Sequence, residues 1–205
     1  ISLSQNPLHI GGKLSLGFIM PHHKDMRYFV KKPVTEVNLL IGFQTYGKKD
    51  WQMFWGYPEL GIGLYHANLG NPEILGNAEA IFTYYSAPFF PSRVFGINYF
   101  FGLGFSYLTK KFDYKDNYLN IAIGSHANIF ASLSLELQIK MPKTIFFSNI
   151  GLTHYSNGGT KMPNLGINVP SVSVGIKYKT ANVSRKTKIS QPIWNKSVSY
   201  THLTL

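Results

Sequence analysis

The stretch GLTHYSNGGTKMPNLGIN, residues 151–168, sets His154 and Ser156 two positions apart, ahead of glycines, a proline and several asparagines. A serine hydroxyl stays un-ionised near neutral pH, so it attacks a carbonyl only when a nearby base takes its proton. Imidazole is the side chain best matched to that task. Two residues apart on a β-strand means one shared face. The spacing alone is a weak signal, because polar residues at the aqueous rim of a strand produce it too.

The element that would carry the pair is TIFFSNIGLTHYS, residues 144–156. Stepping back by twos from Ser156 gives His154, Leu152, Ile150 and Ser148; the opposite face holds Tyr155, Thr153, Gly151 and Asn149. His154 and Ser156 therefore lie on the face that also carries Ile150 and Leu152.

Alternation of this kind dominates the chain. In EVNLLIGFQT, Val37, Leu39, Ile41 and Phe43 oppose Glu36, Asn38, Gly42 and Gln44. In SLSLELQIKM, Leu133, Leu135, Leu137, Ile139 and Met141 oppose Ser134, Glu136, Gln138 and Lys140. Strands are expected near 9–20, 34–46, 51–66, 77–88, 93–108, 126–141, 144–156 and 169–179, with Pro58 and Pro88 interrupting or ending the third and fourth. Eight is the smallest number usual for a bacterial membrane barrel.

A soluble sandwich or lipocalin-like barrel would point its apolar face inward and show a charged face to water. Here the minor face is Gly, Ser, Asn and Gln with occasional charges, which suits a narrow barrel interior. Across the 205 residues, aromatics reach 15% and charged residues only 14%, against about a quarter charged in soluble domains. The expected fold is therefore an all-β, eight-stranded antiparallel transmembrane barrel of the outer-membrane type over residues 1–180. A polar, basic tail is expected over 181–205, disordered or a truncation scar. Tight connections at PFFPSR and MPKT alternate with longer ones, as short periplasmic turns alternate with outer loops. Trp51, Trp55, Tyr57 and Tyr84–Tyr85 are expected in interfacial girdles.

Several functions are disfavoured. The net charge of +11 comes from scattered or loop-borne lysines and no nucleic-acid motif accompanies it, so no nucleic-acid partner is expected. Cysteine is absent from the sequence, which removes thiolate sites, and His66 and His126 lack partners at metal-ligand spacing, so neither a metal nor a cofactor is expected. His22 and His23 read as solvent-exposed loop. The start ISLSQNPLHI lacks the basic and apolar pattern of a signal peptide, so a leader was removed or the chain was never exported.

HYSNGGTKMPNLGIN closely resembles the signature of the PagL-type lipid A 3-O-deacylases, outer-membrane acyl hydrolases built as eight-stranded barrels. The resemblance is specific over about fifteen residues and architectural from Ile10 to about Tyr178. It implies a serine esterase of the outer membrane, with lipid A or lipopolysaccharide as substrate; a homodimer is compatible with such a barrel. Carried over by position, Ser156 is the nucleophile, His154 the base, Asn164 and the Gly159 N–H the oxyanion donors, and Asn157 a supporting neighbour. The chain departs from the family at Asn168, where Glu is usual. Asparagine can hold an imidazole tautomer but offers it no negative charge. An inactive or weakened barrel relative with a structural or lipid-binding role is the alternative.

Overall fold

Eight strands close into one antiparallel barrel in the computed structural model, which describes residues 7–90 and 94–181. They are β1 (Leu8–Gly17), β2 (Val34–Gln44), β3 (Glu59–Asn68), β4 (Asn77–Phe90), β5 (Phe95–Leu108), β6 (Ala127–Lys140), β7 (Thr144–Ser156) and β8 (Ile167–Lys179). Each pairs with its sequence neighbours, and β8 closes on β1. Closure leaves no unpaired edge, which a sheet in hydrocarbon requires because no water is there to satisfy exposed N–H and C=O groups. The strands run 10 to 14 residues, enough to cross a bilayer when tilted.

The apolar face looks outward. Leu14, Leu39, Leu133, Ile150 and Val174 are all exposed, while Glu36, Asn38, Ser134, Glu136, Asn149 and Ser173 beside them are buried. A soluble barrel would invert that assignment. The half of the interior nearer the short turns is polar, and a charged cluster is paired within it. Lys177 lies 3.4 Å from Glu136 and 3.6 Å from Glu59, and Glu59 also meets His9 Nδ1 at 2.8 Å and accepts from Tyr84 Oη at 2.6 Å. Nearer the long loops an aromatic layer of Tyr65, Phe82, Phe130 and Tyr155 fills the lumen. Gly63 makes room for it: a Cβ there would sit 2.1 Å from Phe82 Cζ. Small beside large is how a narrow barrel fills its lumen.

Three expectations need correction. The third strand begins at Glu59, not at 51, because residues 50–54 form a short helix, α1 (Asp50–Phe54). Gly56 and Tyr57 then take positive φ, 69° and 62°, and that turn separates the aromatic run from the strand. Trp51 and Trp55 are exposed beside this turn. β4 passes through Pro88 to Phe90 with a register shift between them, absorbing the proline. Tyr84 belongs to no girdle: it points into the lumen, 4% exposed, held by Glu59. From residue 182 onward the expected tail lies outside the described residues, as do residues 91–93 in the PFFPSR turn.

Candidate active site

β7 delivers the two candidate chemical groups to the outside of the wall. Thr153, Tyr155 and Asn157 are buried, whereas His154 and Ser156 are half-exposed and Leu152 is exposed. Tyr155 fixes this parity from within, because its ring packs on Tyr65 and Phe130 and its hydroxyl bonds that of Tyr65. A slip by one residue would send that aromatic into lipid and both polar groups into the lumen. On β8, Asn168 stands directly opposite His154 in the register. Its neighbours Ile167 and Val169 are fully buried, so Asn168 also faces out.

The cross-strand pair is hydrogen-bonded: His154 Nδ1 lies 2.7 Å from Asn168 Oδ1. Amide oxygen only accepts, so Nδ1 carries the proton and Nε2 is left with a free lone pair. Gly166, at φ +77°, backs the imidazole; a Cβ there would come within 3.0 Å of His154 Cε1 and 3.1 Å of the Tyr155 carbonyl oxygen. Only glycine takes that backbone shape without cost and leaves that much space.

The Ser156 hydroxyl is held by donors instead of by the imidazole in this structure. Asn164 Nδ2 lies 3.0 Å from Ser156 Oγ and the Gly158 N–H 3.2 Å away. Asn164 is oriented by its other end, since its Oδ1 accepts from the Asn157 N–H at 3.1 Å. Two donors therefore converge on the serine oxygen. In an attack on an ester, charge would develop on the carbonyl oxygen beside it, and these donors would have to turn to that oxygen to stabilise it. Serine–base bonds are often loose in unliganded sites and tighten when substrate arrives.

Asn157 organises the loop between β7 and β8. Its Nδ2 donates to Ser125 Oγ at 3.0 Å and to the Lys161 carbonyl at 2.8 Å, while its Oδ1 accepts from the Gly159 N–H at 2.9 Å. The Gly159 N–H is therefore spent on Asn157, and Gly158 offers the amide nearest the serine. Sequence reasoning also left out Ser125 and His22. Ser125 stands 31 residues before Ser156 with no motif to mark it. His22 Nδ1 lies 3.1 Å from Asn168 Nδ2, although its loop composition suggested only solvent.

The flanking wall is hydrocarbon-like. Ala131 faces His154 across β6, and Ile129 faces Ser156. Ile129, Leu133, Leu152 and Phe105 are all exposed on the outer wall. If Asn164 serves as an oxyanion donor, its replacement by Leu is expected to lower turnover about 10²- to 10³-fold, the usual cost of removing one such group. Rates on a purified acyl-ester substrate in detergent would check it.

A closed transmembrane barrel of the outer-membrane type, with a serine, a histidine and an asparagine on its outer wall and a second asparagine in the adjoining β7–β8 loop, is the class that fold and site define. Within that class the model of the family "Lipid A 3-O-deacylase (PagL)" matches residues 37–177, and the chain belongs to this family. The crystal structure of the outer membrane enzyme PagL shares the fold at TM-score 0.55 and 15% identity, covering 80% of this chain and 97% of that one. Neisserial surface protein A (NspA) aligns at TM-score 0.57 and 7% identity, covering 83% and 96% respectively. No curated protein sequence matches the chain.

Proposed function

We propose that this chain is an outer-membrane serine esterase that removes an ester-linked hydroxyacyl chain, that at the 3-position, from lipid A. The observation that carries the reading is the placement of His154, Ser156 and Asn168 together on the lipid-facing surface. A soluble esterase draws its substrate into a pocket; this arrangement meets an acyl chain already lying in the bilayer. Ser156 Oγ attacks the ester carbonyl as His154 Nε2 takes its proton. The oxygen of the tetrahedral intermediate is received by Asn164 Nδ2 and the Gly158 N–H. Collapse breaks the bond to the sugar oxygen, which leaves with the proton from His154. Water, deprotonated by the same imidazole, then releases the hydroxy fatty acid and restores the serine.

Purified protein refolded in detergent and incubated with lipopolysaccharide tests this. Mass spectrometry should show loss of one hydroxyacyl chain and release of the matching free acid; an unchanged spectrum would sink the proposal. The exposed Lys110 and Lys161 and the half-buried Lys111 lie in the β5–β6 and β7–β8 connections. In this reading they neutralise lipid A phosphates. Replacing all three by Gln is expected to weaken lipopolysaccharide binding several-fold at low salt and less at high salt, since screening shortens such attraction. Titrations at two ionic strengths would show it.

Asn168 supports a second reading, a barrel relative with weak or no turnover, because a neutral amide cannot stabilise the imidazolium formed as Ser156 is deprotonated. Hydrogen bonds to charged partners contribute roughly 1–2 kcal/mol more than neutral ones. Asn168→Glu is therefore expected to raise kcat about tenfold. An unchanged kcat would remove position 168 from the catalytic set.

A further inference from the structure

The geometry points to His22 as a positioning residue: it fixes which end of the Asn168 amide faces His154, and so which nitrogen of His154 is free to act as base. The inference rests on the esterase reading for its functional meaning, although the hydrogen-bond chain stands without it.

A carboxylate presents acceptors at both oxygens, but an amide has one accepting end and one donating end. If Asn168 turned its NH2 toward His154 Nδ1, that nitrogen would have to accept. The proton would then sit on Nε2, leaving nothing to take the serine proton. In a Ser-His-Asp protease, the Asp-to-Asn exchange that produces this wrong tautomer costs about 10⁴ in kcat. A chain with asparagine at this position therefore needs something to choose the orientation.

The choice is made from the β1–β2 loop. Asn168 Nδ2 lies 3.1 Å from His22 Nδ1, and His22 Nε2 lies 2.9 Å from the Leu165 carbonyl oxygen. A backbone carbonyl only accepts, so His22 carries its proton on Nε2. In the neutral ring Nδ1 must then be an acceptor, and the Asn168 NH2 is the donor that meets it. The 3.4 Å approach of Nδ1 to the Met20 carbonyl does not compete, because it supplies no proton. Hydrogen-bond direction is thus set at every link, from His154 Nδ1–H to Asn168 Oδ1, from Asn168 Nδ2–H to His22 Nδ1, and from His22 Nε2–H to Leu165 O.

Both ends of this chain are anchored. The Met20 N–H donates to the Asn168 carbonyl at 2.9 Å, tying the strand extension that carries His22 to β8. The Gly166 N–H donates to the Ala122 carbonyl at 3.0 Å, which holds the backbone next to Leu165. His22 is exposed, so replacing it leaves the barrel wall and lumen untouched.

Two measurements test the inference. In protein labelled with ¹⁵N and refolded in micelles, the His154 ring should show a protonated Nδ1 and a bare Nε2. His22→Phe should shift that ring toward Nε2–H. His22→Gln, which can still accept from Asn168 and donate to Leu165, should keep the wild-type pattern. Kinetically, His22→Phe should lower kcat roughly five- to tenfold with KM within about twofold, the scale of one neutral hydrogen bond. In the Asn168→Glu background the same substitution should change kcat less than about twofold, because a carboxylate has no amide end to orient. An unaltered His154 tautomer in His22→Phe, or equal losses in both backgrounds, would overturn the inference. A protein that never deacylates lipopolysaccharide yet shows the tautomer shift would reject the esterase reading alone.

Discussion

Ser156→Ala is expected to lower deacylation by about 10⁵-fold, with lipopolysaccharide binding unchanged. Removing a serine nucleophile from a complete Ser-His-Asp set costs about 10⁶, the residual rate coming from oxyanion donors and binding. The smaller figure follows from Asn168, whose neutral amide starts the wild-type protein lower. The hydroxyl leaves little structural debt, since it is half-exposed and its two partners, Asn164 Nδ2 and the Gly158 N–H, can turn to water. Asn164 keeps its anchor on the Asn157 N–H. Release of hydroxy fatty acid over time measures the rate. A Ser156→Ala protein that retained more than a tenth of wild-type turnover would remove Ser156 as nucleophile and move the chemistry elsewhere on the wall.

The barrel was legible in the sequence because its signal is local and repeated. Each strand states its own parity, and eight agreeing strands leave little freedom. Parity also placed His154 and Ser156 on the face of Ile150 and Leu152, where the structure has them. The errors fell where local pattern and tertiary demand part. Trp51 to Trp55 carries aromatics at a spacing that either a strand or one helical turn accepts, and the turn at Gly56–Tyr57 decides it. Tyr84 and Tyr85 are adjacent, so one must face inward; its partner there, Glu59, is 25 residues away and invisible to periodicity.

The site divides the same way. The contact of His154 with Asn168 follows from a β7–β8 register that a ten-residue loop leaves free in sequence. The β1–β2 loop reaches Asn168 only because β1 closes the barrel against β8, a contact spanning 146 residues between His22 and Asn168. Ser125 meets Asn157 only through the pairing of β6 with β7. Closure is a global property, and residues assembled by it carry no local mark.

His154→Phe is the second large effect, with an expected loss of 10³- to 10⁴-fold at neutral pH. Phenylalanine keeps a flat ring against Gly166 but cannot accept a proton, so the substitution isolates the base from the packing. The serine proton must then go to solvent hydroxide, and the variant's rate should climb about tenfold per pH unit, without the plateau that a protein base gives once deprotonated. Uncatalysed ester hydrolysis climbs likewise, so the blank has to be the double variant with Ser156→Ala. Because nucleophile and base act as one unit, that double variant should be no slower than Ser156→Ala alone. A double loss equal to the product of the single losses would mean that His154 acts on the reaction independently of Ser156, as a substrate-binding group and not as its base.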